Sequence, residues 1–216
     1  MESYNIVNIQ EIETFKKGES YKGEITVFTS DIGPKFLLFG NKSVYLNAFS
    51  YMLVLSGRAT LLVDSVEYPI DAHSLCILSP LHLTNFRQVS RDFQCLCLCS
   101  CKNFIDRLPI LNIQHRITHG MNMYHYPIVQ ISEEEKHLLA STMEDLRIQL
   151  FRTEHSYQLE MIQNALTRYY LEIDNILDNK GINEVTERVP QTRHANILRK
   201  FISLLMLHYK TEHSVP

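Results

Sequence analysis

The stretch "FQCLCLCSCKNF" (93–104) places four of the chain's five cysteines at positions 95, 97, 99 and 101. Four thiols at such spacing raise metal ligation and redox chemistry at once. Alternation along a strand would put Cys95, Cys97, Cys99 and Cys101 on one face, with neighbours roughly 6.5–7 Å apart, twice the rise per residue. A disulfide requires Cβ atoms about 3.8 Å apart, and thiolates sharing a tetrahedral zinc sit at a similar separation. A regular strand therefore puts both chemistries out of reach, and the cysteines are expected to fill a buried wall as small hydrophobes. No C-x2-C pair occurs, and five thiols do not complete a disulfide framework.

Other chemistry-bearing residues are less organised. His115 and His119 are four apart, with His125 following, but Gly120 and Pro127 break that segment, which reads as a polar connection. The sequence contains no H-E-x-x-H, G-x-S-x-G, G-x-G-x-x-G or phosphate-binding loop. No metal, cofactor or catalytic residue is implied.

The elements that would position these residues fall into two classes. Residues 22–101 read as strands: "GEITVFT", "KFLLFGN", "YMLVLSGRATLLVDSVEYPI", "SLCILSP", "HLTNFRQVS" and "FQCLCLCSC". Ser56-Gly57 and Asp64-Ser65 supply close turns, so an antiparallel barrel or sandwich is expected. After residue 130 the period changes. Ser132 and Glu135 form a capping box, and Leu138, Leu139, Met143, Leu146 and Leu150 recur at helical spacing. A second helix should begin near Thr153 or Ser156 and end near Leu177, with Leu159, Ile162, Leu166, Tyr169, Ile173 and Ile176 as a heptad seam. Ala165, Tyr170 and Leu177 widen that seam into a second apolar stripe, enough for the helix to pack on its own domain and on a partner. Residues 178–192 are polar, contain Gly181 and Pro190, and read as a linker, and a third helix is expected at about 193–211.

A chain of 216 residues can hold one large domain or two small ones. Its formal net charge of −3 gives no electrostatic footprint for nucleic acid. The charge is uneven: residues 179–216 hold six Lys/Arg and three Asp/Glu, a local +3, so residues 1–178 carry −6. No apolar run approaches the ~18 residues of a membrane span, and the first residues lack a basic region followed by an apolar stretch. A reducing, cytoplasmic setting is the expectation.

The segment "YMLVLSGRATLLVDSVEYPIDAHSLCILSPLHLTNF" (51–86) resembles the barrel of cupins. Metal-dependent cupins carry an H-x-H pair just before that first strand, where this chain has "LNAFSY". Their later histidine corresponds to the place of Thr84, and His82 falls too early. The order of parts resembles the sensor half of AraC-type transcriptional regulators, through "LCLCSCKNFIDRL" (96–108), "PIVQISEEEKHLL" (127–139) and "ILRKFISLLMLHYKTEHSVP" (197–216). That resemblance implies an α+β chain: a cupin-like antiparallel sensor barrel at 1–130, a helical dimerisation region at 131–178, a linker at 179–192, and at 193–216 the first helix of a helix-turn-helix DNA-binding domain. The helices that read DNA would follow Pro216 and are missing from the chain, so DNA would be met only through them.

The function implied is effector binding and dimerisation in such a regulator, without enzymatic activity. The expected partners are a second copy of the chain and a small-molecule effector, with no membrane. Candidate ligand-binding residues, chosen without knowledge of which strand face is inward, are Tyr51, Leu53, Leu61, His82, Phe86 and Cys97. The candidate dimer interface is Leu159, Ile162, Leu166, Tyr169 and Ile173, for which packing within the chain is the competing reading. Two alternatives remain: a cupin-fold metal-dependent enzyme using His82, and an interaction module whose barrel is filled by its own side chains.

Overall fold

The computed structural model describes residues 5–11, 19–30, 43–108 and 126–182, which hold eleven strands and the three helices detailed below. The expected strand "KFLLFGN" (35–41), the histidines at 115, 119 and 125, most of the linker and the expected helix at 193–211 lie outside the described residues. Those described all belong to one compact unit, Met1–Glu184.

The first sheet contains β1 (Asn5–Val7), β4 (Val44–Leu46), β9 (Leu83–Arg87), β6 (Arg58–Val63) and β7 (Val66–Asp71), in that spatial order. The second runs β11 (Ile128–Gln130), β8 (Ser74–Leu78), β5 (Phe49–Ser56), β10 (Gln94–Ser100), β3 (Ile25–Ser30) and β2 (Glu19–Tyr21). Every pairing is antiparallel except that of β1 with β4. The expected barrel is thus a two-sheet sandwich, the arrangement by which jelly-roll proteins limit exposed edges.

Turn chemistry sets these registers. Asp64 and Ser65 both take positive φ, 51° and 71°, the left-handed pair that joins the β6–β7 hairpin with the twist of its strands. The Asp64 carboxylate then accepts the Leu83 amide at 2.9 Å, tying that hairpin to the start of β9. Pro69 is tolerated because β7 is an edge strand.

Three helices follow: α1 (Lys102–Ile105), α2 (Glu133–Phe151) and α3 (Gln158–Asn179). The capping box at the start of α2 is present in both halves: Ser132 Oγ accepts the Glu135 amide at 3.1 Å, and Glu135 accepts the Ser132 amide at 2.7 Å. Helix α3 begins a few residues later than its periodicity suggested, after Tyr157.

Apolar side chains form two cores on opposite faces of the second sheet. One lies between the sheets and gathers Phe28, Met52, Val54, Leu61, Val63, Ile70, Phe93 and the cysteines. The other lies between the second sheet and the helices, where Ile25, Val27, Tyr51, Leu53, Leu96 and Leu98 meet Leu139, Met143, Leu146, Ile162, Leu166, Tyr169 and Ile173. Fully burying each such Leu or Ile contributes about 1.5–3 kcal/mol. The described residues of this unit therefore form three layers, with the second sheet in the middle.

Candidate functional site

Strand β10 decides what the interior of the sandwich is made of. Its side chains alternate between two buried environments: Cys95, Cys97 and Cys99 enter the core between the sheets, while Leu96 and Leu98 enter the core beneath the helices. The cysteine face is inward. Register extends it across the sheet, because Cys97 lies opposite Met52 on one side and Phe28 on the other, and Met52 in turn lies opposite Cys76. A row of three sulfur residues, Cys76, Met52 and Cys97, thus crosses the sheet and meets at Cys97 the column running along β10.

The thiols are closer than regular strand spacing implies. Cys95 Sγ and Cys97 Sγ are 3.6 Å apart, which corrects the expectation that neighbouring cysteines stay beyond each other's reach. Two features account for it. Side chains lean along the strand and can approach from both ends, and the register of β10 against β5 shifts between Gln94 and Cys95. No disulfide forms among the five cysteines. Burial pushes the Cys76 and Cys99 thiols well up, and the nearby Cys97 adds to this. These two thiols are therefore neutral at physiological pH rather than nucleophilic thiolates.

From the first sheet, Leu61 and Phe86 close over this wall as a directly opposed pair. Phe86 packs on Phe93 with ring centroids 6.5 Å apart. Thr84, opposite Val63, shares their face, and its hydroxyl donates to the Val44 carbonyl at 3.3 Å. His82 is buried in the turn before β9, where its Nδ1 accepts the Ser79 amide at 3.1 Å and its own amide donates to the Ser79 carbonyl at 3.1 Å. This histidine closes a turn, and that use of Nδ1 leaves only Nε2 for any metal. Among the described residues, no three His, Cys, Asp or Glu side chains gather as a metal-binding set.

Of the candidate ligand residues, Leu61, Phe86 and Cys97 come together in the interior. Tyr51 and Leu53 do not: they project from the opposite face of β5 into the helix-facing core. Tyr51 packs against Tyr169 with centroids 5.4 Å apart at 87°, and against Tyr170 at 5.5 Å. Met52, Cys76 and Phe93 line the interior but were not singled out from sequence. The period-2 signal was available for Met52 once its neighbour Cys97 was placed inward.

The candidate dimer seam has another use. Ile162, Leu166, Tyr169 and Ile173 are completely buried within the single chain, and Leu159 packs partly buried beside them. The second stripe, Ala165, Tyr170 and Leu177, is buried there as well. Both stripes of α3 are taken up by its own sheet and by α2, so neither faces a partner. Apolar side chains left outward on the helices are Ile148, Phe151 and Leu171.

Comparison with known proteins adds fold likenesses. No family model matches the chain, and no curated protein matches it in sequence. Its structure is similar to that of an apo variant of ToxT from Vibrio cholerae, at 12% identity and TM-score 0.45, over 92% of this chain and 69% of that one. It is also similar to the AraC-like transcriptional activator CuxR, at 10% identity and TM-score 0.48, over 88% of this chain and 60% of that one. A cupin 2 conserved barrel protein from Salinispora arenicola is similar over 38% of this chain and 66% of its own, at 17% identity and TM-score 0.29. The chain thus spans 60–69% of the length of the two regulators.

Among the described residues no helix is long and apolar enough to cross a membrane. The site is a buried, uncharged interior of sulfur, aromatic and aliphatic groups with a few hydroxyls at its margin. Such a lining suits binding of a small apolar molecule better than acid–base chemistry.

Proposed function

We propose that the chain is the effector-binding and dimerisation region of an AraC-type DNA-binding transcriptional regulator. One observation carries the reading: β10 is a single wall with the sandwich interior on one side and α3 on the other. A ligand seated against Cys97 and Met52 would press on the strand that holds Tyr170 through Ser100. An occupant that binds one arrangement of this wall better than another shifts the balance between them, and the helices carry that shift away from the pocket.

In this reading the pocket is lined by Leu61, Phe86 and Cys97, with Met52 and Phe93 added. A second copy docks on the outward side of the helices near Ile148, Phe151 and Leu171, since the seam through Leu166 is already used. In the same reading DNA contact would belong to a helix-turn-helix domain beginning with residues 193–216, which lie outside the described residues, and the setting would be the cytoplasm.

The test is a chimera. Residues 1–192 are fused to a DNA-binding domain that represses a reporter only as a dimer. Repression that responds to an added small molecule supports the proposal. A chimera that is folded, abundant and silent at every concentration overturns it.

A further inference from the structure

Residual exposure inside the sandwich is unevenly spread, and its pattern locates space within the core. One row of side chains crosses the inner face of the second sheet from Cys76 through Met52 and Cys97 to Phe28. Along it the exposed fraction climbs from 0% at Cys76 to 4%, 5% and 9%. Beside that row Val54, Cys95, Thr26 and Cys99 are closed. On the first sheet Leu61 and Val63 are buried, Thr84 keeps 9%, and Phe86 and Val44 are only partly covered. The core is therefore tight at β6 and β8 and loosens toward β3, β4 and β9. Close-packed interiors hold few voids, so surface left at the centre of a sheet covered on both faces marks room for another molecule.

We propose that this space binds a small neutral aromatic molecule carrying one hydrogen-bond donor, the chemistry of indole or a phenol. The inference rests on the reading of the interior as an effector site and names what fills it. The walls choose the ring. Cys76, Cys97 and Met52 line one side with polarizable sulfur, which packs favourably at the edge of an aromatic ring. Phe28, Phe86 and Phe93 supply faces and edges for offset or edge-on contact. Phe86 and Phe93 already meet each other at 59°.

Charge and hydrogen bonding narrow the class. None of the buried side chains described is a Lys, Arg, Asp or Glu. A carboxylate or an ammonium group would enter without a counter-charge and lose its hydration, a cost that a neutral ligand avoids. Thr84 supplies the polar contact, from the inward face of β9 that it shares with Phe86. Its hydroxyl gives its hydrogen to the Val44 carbonyl at 3.3 Å, so its oxygen offers lone pairs and no further hydrogen. It can receive an N–H or O–H from the ligand and has nothing to give a carbonyl or an ether. A ring with one donor satisfies both the sulfur wall and the hydroxyl.

The test uses the reduced 216-residue chain, whose lack of tryptophan lets the fluorescence of added indole be read over tyrosine alone. Indole should bind saturably, one molecule per chain, with its emission shifted to the blue as in an apolar medium. Indene, the same shape without the N–H, should displace it with about 10-fold weaker affinity, the worth of one hydrogen bond. Benzoate should not displace it. Thr84→Val should bring indole down to the affinity of indene and leave indene unchanged. Cys97→Leu, whose side chain extends into the space, should abolish binding of both. Circular dichroism checks each fold, and Met52→Phe replaces Cys97→Leu if the latter does not fold. No saturable binding of indole, displacement by benzoate, or equal affinity for indole and indene overturns the proposal. So does a Thr84→Val chain that still prefers indole, or a folded Cys97→Leu chain that still binds it. Indole bound by a chain whose chimera stays silent would support this site and remove the regulator. A chimera that answers another molecule while indole fails to bind would do the reverse.

Discussion

The hydroxyls of Ser100 and Tyr170 lie 3.1 Å apart, hydrogen-bonded across the boundary between β10 and α3, with no water-exposed surface on Ser100 and almost none on Tyr170. This is a polar contact inside an otherwise apolar layer. A buried hydrogen bond contributes about 0.5–1.5 kcal/mol, and leaving one partner unsatisfied costs about 1–3 kcal/mol. Tyr170→Phe and Ser100→Ala should each destabilise the fold by about 1–2 kcal/mol in urea unfolding. The double variant should cost clearly less than their sum. Strict additivity would mean that the contact couples nothing.

Three tyrosines should resist titration. Burial pushes Tyr51, Tyr169 and Tyr170 well above the ordinary phenol value, and the neighbouring hydroxyls of Tyr169 and Tyr170 reinforce this at Tyr51. The folded state therefore keeps these protons at pH values where the unfolded chain releases them. Their contribution to stability is complete below about pH 10 and is lost as pH rises beyond it. Ultraviolet titration should show three of the chain's eleven tyrosines ionising only with unfolding. Ionisation of all eleven in a folded chain would contradict the packing.

At the acid end Glu135 is informative. Its partial burial would raise its carboxyl, but the Ser132 amide and Lys180, whose Nζ is 3.0 Å away, hold it below the usual carboxylate range. That stabilisation is present above the unfolded value of about 4.3 and disappears as pH falls through the lower folded value. Glu135→Gln should flatten this part of the stability–pH curve and lower stability at neutral pH by about 1 kcal/mol, mostly from the weakened cap. An unchanged acid limb would argue against the contact.

Gly57 should not accept a side chain. Its φ is +73°, and a Cβ there would stand 2.6 Å from both the Cα and the backbone nitrogen of Phe93. Gly57→Ala combines left-handed strain with a backbone clash and should cost about 2–4 kcal/mol. Thermal unfolding measures it directly, and a loss below about 0.5 kcal/mol would mean that the β5–β6 turn is free to rearrange.

Leu166→Asp distinguishes the two uses of α3. Leu166 is wholly buried within one chain, so an unpaired charge there should abolish folding rather than release a folded monomer. Leu171 is 48% exposed on the same helix, and Leu171→Asp should leave the chain folded while weakening self-association in sedimentation experiments. A folded, monomeric Leu166→Asp chain would restore the seam to the dimer.

The strands from β5 to β10 were legible because their turns announce themselves: Ser56-Gly57, Asp64-Ser65 and Pro80 punctuate apolar runs. The start of α2 was legible from Ser132 and Glu135 for the same local reason. The inward face of β10 was not. Alternation reveals orientation when one face is wet, but Cys95 to Ser100 are buried on both sides, so thiols and leucines look equally interior. The seam of α3 misled for a related reason. A helix packed on both a sheet and a neighbouring helix carries a stripe as wide as one meant for a partner, and one chain's pattern does not say who covers it. The three-residue strands β1, β2, β4 and β11 are too short to show any period.

The middle position of the second sheet also bears on inheritance. A sandwich released from its helices would present Ile25, Val27, Tyr51, Leu53, Leu96 and Leu98 to water as one continuous sticky surface, and helices released from the sandwich would do the same with α3. Neither part can be shuffled, deleted or borrowed without the other. Sandwich and helical pair are therefore one heritable unit, and the buried positions of β10, Cys95 to Ser100, are judged by selection from both sides.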